Sequence, residues 1–124
     1  MSTNENIELL KEGYAAFAAG DLETATSTWD DNIEWVVLGN STVSGTYRGK
    51  TEVMGLLAKA AEKSFTTAPS RFLADGDVVV VLTQLTMGGE SAPQADVWTI
   101  RDGKAVKYQG LGDTALGEQI WGTK

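Results

Sequence analysis

Four side chains have types and positions that suit chemistry: Tyr14, Glu34, Asp96 and Asp113. Tyr14 lies among Ile7, Leu10 and Phe17 at helical spacing, so its phenol sits on an apolar stripe. There it either fills core or donates a hydrogen bond to a substrate carbonyl and to the enolate formed from it. Asp96 belongs to the alternating run Gln94–Ile100 and falls on the side of Trp98. A carboxyl on an apolar face must be paired or carry a raised pKa, and a neutral carboxyl is itself a donor. The plain alternative is an Asp96 solvated or salt-bridged at the strand's open end. Glu34 shares parity with Val36 and Leu38. It reads either as a base facing the interior or as a solvent-facing residue beside buried Trp35 and Val37. Asp113 precedes a short terminal helix, where it reads as an N-cap.

The rest of the composition narrows what these groups can do. There is no histidine and no cysteine, which excludes imidazole bases, thiolate nucleophiles, disulfides and Cys/His zinc sites. Proton transfer has to run on carboxylates, Tyr, Lys or water. The net charge of -7 comes from the first third. Residues 1–40 hold eight acidic side chains against Lys11 alone. Such a chain lacks the basic footprint that nucleic acid needs. No apolar stretch reaches the roughly 18–20 residues of a membrane span. The polar opening Met1-Ser2-Thr3-Asn4-Glu5 differs from a signal peptide, so a cytoplasmic protein is expected. Asp30-Asp31 has no third ligand at metal spacing, and Gly88-Gly89 has no following helix or Lys to make a phosphate loop. Neither a metal nor another cofactor is expected.

The elements that must position these groups read as one α+β domain over residues 1–124. A helix is expected over about 4–19, capped by Ser2 with Glu5 and stopped by Gly20. Asp21 caps a second helix with Leu22, Ala25 and Trp29 on its buried side. A strand covers 33–38, Gly45–Gly49 forms a turn-rich bridge, and a third helix covers 50–63. Strands over 65–74, 78–87, 94–101 and 104–111 then form an antiparallel meander. Asp75-Gly76-Asp77, a longer loop at Gly88–Pro93, and Asp102-Gly103 connect them. Helices gathered before a curved antiparallel sheet leave an apolar cone, a natural small-molecule pocket. Its expected lining comes from Phe17, Trp35, Val36, Met54, Phe72 and Trp98.

Four segments carry a resemblance. They are Tyr14-Ala-Ala-Phe-Ala-Ala-Gly-Asp21, Trp29-Asp-Asp-Asn-Ile-Glu-Trp35, Gly45-Thr-Tyr-Arg-Gly49, and Arg101-Asp-Gly-Lys-Ala-Val106 followed by Gly112-Asp-Thr114. In order and spacing the chain resembles the nuclear transport factor 2-like superfamily, in its SnoaL-like and ketosteroid-isomerase-like branch. The resemblance implies a cone-shaped fold, a small hydrophobic ligand and a homodimer. It matches Tyr14 to that branch's oxyanion tyrosine and Asp96 to its protonated aspartate, and Asp113 to an acidic position near the last strand, where some cyclases and hydrolases of the superfamily place their acid/base carboxylate. The base aspartate matches Val36, so the shuttle carboxylate of the isomerases is missing. The implied function is an isomerase, cyclase or lyase acting on a small hydrophobic carbonyl compound. The alternative is a non-catalytic ligand-binding or assembly module of the same fold.

Overall fold

The computed structural model describes residues 3–124, so the expected Ser2 cap lies outside the described residues. In chain order the elements are α1 (Thr3–Ala18), α2 (Leu22–Thr26), β1 (Trp29–Val37), β2 (Gly45–Arg48), α3 (Lys50–Glu62), β3 (Thr66–Asp75), β4 (Val78–Met87), β5 (Glu90–Arg101), β6 (Lys104–Gly112) and α4 (Thr114–Trp121). Helices and a curved, unclosed sheet make the expected α+β fold. The six strands lie in the order β2-β1-β6-β5-β4-β3.

Four local expectations need correction. The sheet is mixed, because β1 runs parallel to β6 while every other pair is antiparallel. The bridge at Gly45–Arg48 is an edge strand paired with β1. Gly88-Gly89 is a two-residue turn, both glycines at positive φ, and Ser91 and Pro93 are already paired with β4. A two-residue loop with two left-handed residues matches the natural twist of a hairpin, so the strands run right up to it. The second helix ends at Thr26, so Trp29 opens β1 and Leu22 is exposed. The Asp21 carboxylate accepts from Thr24 N at 3.1 Å and does cap that helix.

Register sorts the sheet into two faces, because cross-strand partners share a side. One row crosses Trp35, Tyr108, Trp98 and Val79; the next crosses Val37, Gly110, Asp96, Val81 and Phe72. These rows form the inner face. Buried Ile33, Val53, Val79, Val81, Ile100 and Ala105 join them in the core. α1 lies against β3 and α2, and α3 against β1 and β2, closing the interior from one side. After α4 the chain bonds back to the loop following β1, through Thr42 N to Gly122 O and Lys124 N to Asn40 O, both 2.9 Å. That latch holds α4 across the end of the sheet. No helix among the described residues is long and apolar enough to cross a membrane.

Candidate functional site

A cavity opens between α1, α2 and the inner face of the sheet. Leu9, Leu10, Phe17, Trp29, Leu57 and Phe65 give it an apolar wall, and Tyr14, Trp35, Asp96, Trp98 and Tyr108 form its floor. It encloses about 620 Å³ of empty space, part of it open to solvent. α1 brings Tyr14 there because helical spacing puts it one turn beyond buried Leu10. Strand alternation brings Asp96 and Trp98 to the same face of β5.

Asp96 is the hub. It is only 3% exposed, yet both carboxyl oxygens are occupied. Tyr14 Oη donates to Oδ2 at 2.5 Å. Tyr108 Oη and Gln94 Nε2 each donate to Oδ1 at 2.8 Å. Trp98 Nε1 donates to Tyr14 Oη at 3.0 Å, and Gln94 Nε2 also reaches Tyr108 Oη at 3.3 Å. The rings interlock too. Tyr108 stacks on Trp35 with centroids 3.8 Å apart, and Trp98 meets Trp29, Trp35, Tyr14 and Tyr108 at 4.9–6.2 Å.

Burial dominates the electrostatics. It lifts the Asp96 carboxyl above the ordinary carboxylate range, and the bonds from Tyr14, Gln94 and Tyr108 only partly offset it. Burial, reinforced by the charge of Asp96, lifts Tyr14 well above the usual phenol value. Tyr108 is raised for the same reasons in the same order. The phenols therefore stay protonated as donors, and the neutral form of Asp96 extends to higher pH than for a surface aspartate.

A second cavity lies beyond the stacked Trp35–Tyr108 pair, towards α4. It encloses about 860 Å³ of empty space, part of it open to solvent. Val37, Leu56, Leu85, Met87, Leu116 and Trp121 supply its apolar surface, with Gln94, Gly110 and Gly112 on the sheet side.

Of the residues singled out from sequence, Tyr14, Asp96, Phe17, Trp35 and Trp98 meet at the first cavity. Phe72 packs edge-on against Tyr14 at 5.8 Å from behind, and Met54 is half-buried on α3, bordering neither cavity. Glu34 is drawn away. Its register partners are Arg48 and Lys107, and its carboxylate meets them at 2.8 and 3.5 Å on the outer face. Val36 shares that outer parity, in register with Thr46 and Gln109, yet it borders the second cavity at the end of β1. The β1 residue that faces the side of Asp96 is Val37. Asp113 is exposed and caps α4, accepting from Leu116 N at 3.1 Å at the rim of the second cavity. Sequence reasoning missed Gln94 and Tyr108 as members of the network. It also missed Gly110, where a Cβ would stand 2.8 Å from Tyr108 Oη and 3.1 Å from Gln94 Nε2. Among the described residues no three acidic side chains gather to hold a metal ion.

A family model described as SnoaL-like domain matches residues 10–108. The uncharacterised protein Mb0035 of Mycobacterium bovis is 27% identical, over 98% of this chain and 99% of its own. Among solved structures, a Xanthomonas campestris protein of unknown function with a cystatin-like fold is 26% identical, with a TM-score of 0.85 over 96% of this chain and 98% of its own. TerC, co-crystallised with polyporic acid, is 28% identical, with a TM-score of 0.81 over 94% of this chain and 97% of its own.

Proposed function

The chain belongs to the SnoaL-like family, and we propose that its first cavity binds a small hydrophobic carbonyl compound and activates it towards enolisation. An isomerase, cyclase or lyase would use that step. The observation that carries this reading is the Tyr14–Asp96–Trp98 cluster at the floor of an aromatic cavity. That TerC, similar in fold and 28% identical, was co-crystallised with polyporic acid supports treating the cone as a small-molecule site.

The network has two proton arrangements. With Asp96 ionised, the Tyr14 proton points at Oδ2. With Asp96 neutral, its own proton lies in that bond and is donated to Tyr14 Oη. The phenol proton is then free to turn towards a ligand oxygen. In that arrangement Tyr14 Oη accepts from both Asp96 and Trp98, which makes the phenol a stronger donor. As the α-proton leaves to water, charge develops on the carbonyl oxygen, and Tyr14 stabilises it without rearrangement of the site. One well-aimed donor of this kind contributes about 2.7–4 kcal/mol.

Proton exchange tests the reading. With 2-tetralone in D₂O, the protein should accelerate loss of the α-proton signal in ¹H NMR. Tyr14→Phe and Asp96→Asn should each slow that exchange by about 10²–10³-fold. A second reading, binding without turnover, is favoured by one observation. Among the described residues lining the first cavity, Asp96 is the only carboxylate. Quenching of tryptophan fluorescence by the ketone without faster exchange would select that reading.

We propose too that two copies pair through the outer face of the sheet, where Leu73, Val78, Leu82 and Leu111 are 36–47% exposed. Sedimentation should then give a species of twice the 13.2 kDa chain mass; a single 13.2 kDa species would exclude the pairing.

A further inference from the structure

On the sheet side of the second cavity, Gln94 has its orientation fixed by its neighbours. Gln94 Nε2 carries two hydrogens, and both are engaged, one on Asp96 Oδ1 at 2.8 Å and one on Tyr108 Oη at 3.3 Å. Turning the amide over would set its carbonyl oxygen against the Asp96 carboxyl oxygen, an acceptor facing an acceptor. The carbonyl oxygen Oε1 must therefore point the other way. It has no hydrogen-bond partner among the described residues. It lies above Gly112, where an added Cβ would come within 3.2 Å of it. Gln94, Gly110 and Gly112 all line the second cavity, and the two missing side chains leave the amide uncovered on that side.

An acceptor held in place, with no donor of its own to offer, selects for ligand donors. The cavity's apolar surface includes Val37, Leu85, Met87 and Trp121, while Ser41, Asp113 and Thr114 are among its other polar lining residues. We propose that the second cavity is a binding site for an apolar ring bearing a hydroxyl group, which donates to Gln94 Oε1. The site adjoins the carbonyl site in the first cavity, since Trp35, Leu57, Phe65 and Tyr108 line both, but Tyr14, Asp96 and Trp98 border the first alone. Gln94 joins the two: its nitrogen supports Asp96 and its oxygen reads the second ligand.

The four tryptophans give a position-specific readout. Trp29 and Trp98 border only the first cavity and Trp121 only the second. In protein labelled with 5-fluorotryptophan, 2-naphthol should shift the Trp121 ¹⁹F resonance and bind about tenfold more tightly than 2-methoxynaphthalene, which cannot donate. Gln94→Met should abolish that preference. Gly112→Ala, at a residue of ordinary φ, keeps the Gln94 amide but sets a methyl group against its Cγ and Oε1. It should weaken 2-naphthol alone, which keeps the test sound if the Met variant is unstable. Equal affinity for the two probes, a preference that survives Gln94→Met, or a shift confined to Trp29 and Trp98 would each overturn the proposal. None of these outcomes depends on 2-tetralone exchange, so the two sites stand or fall separately.

Discussion

Asp96 is held by three donors in a place that water scarcely reaches, and its pH response follows from that. Its folded pKa is raised, so the folded state binds a proton more tightly than the unfolded state does. The stabilisation this gives is complete below the ordinary carboxylate range and is lost as pH rises through the elevated value. Relative to Asp96→Asn, the native protein should lose stability over that window and run parallel above it. Urea melts at stepped pH values would show this, and a gap that never changes with pH would contradict it. The phenols act the same way at higher pH. Tyr14 and Tyr108 are both raised, so stability should fall above about pH 10, with each protein-held proton contributing about 1.4 kcal/mol per pH unit. Tyr14→Phe should make that alkaline slope shallower by one proton, while losing about 1–3 kcal/mol at neutral pH from the orphaned Asp96 and Trp98 groups.

At the scale of elements, a single bulge assembles the network. Asp102-Gly103 is a two-residue turn that sequence reading finds readily. Counting outward from it would pair Asp96 with Gln109 and Trp98 with Lys107. The ladder instead slips by one between Thr99 and Ile100, so that Asp96 faces Gly110 and Trp98 faces Tyr108. Tyr14 and Asp96 were legible as partners because helical spacing and strand alternation each fix a face. Tyr108 was not, because its meeting with Asp96 and Gln94 depends on an inserted residue that no local pattern announces; Gln94 shares the strand alternation of Asp96, which is the signal that could have found it. The parity of Glu34 was open for a similar reason and was settled by Arg48 and Lys107 on the flanking strands. Gly110→Ala checks how tightly the network is built. Its methyl group has to displace Tyr108 Oη or Gln94 Nε2, so it should destabilise by about 1–3 kcal/mol and slow 2-tetralone exchange with it. A thermal melt that matches the native protein would show that the network yields without cost. For α4, Asp113→Ala should cost about 1 kcal/mol and Asp113→Asn very little, since Asn caps equally well. Exchange activity should be unchanged in both, as the carboxylate points at Leu116 N rather than into the first cavity.

For the molecule as a whole, the two faces of one sheet have separate tasks. The inner face holds both cavities and the buried polar hub. The outer face carries Glu34, Arg48 and Lys107 at one end and exposed Leu73, Leu82 and Leu111 along the strands that follow. If copies meet there, Leu82→Lys should shift sedimentation towards a single chain without altering far-UV circular dichroism, because Leu82 lies on the side away from the core. The α+β layering was legible from the order of helices and strands. The parallel β1–β6 pair was not, since it joins segments from opposite ends of the chain. That pair matters for more than topology. It fixes Val37, not Val36, on the same side as Asp96, with Gly110 between them. Any valine codon becomes an aspartate or a glutamate codon by a single nucleotide change. A lineage carrying this scaffold therefore stands one mutation from installing a carboxylate in the interior, and one reversion from losing it.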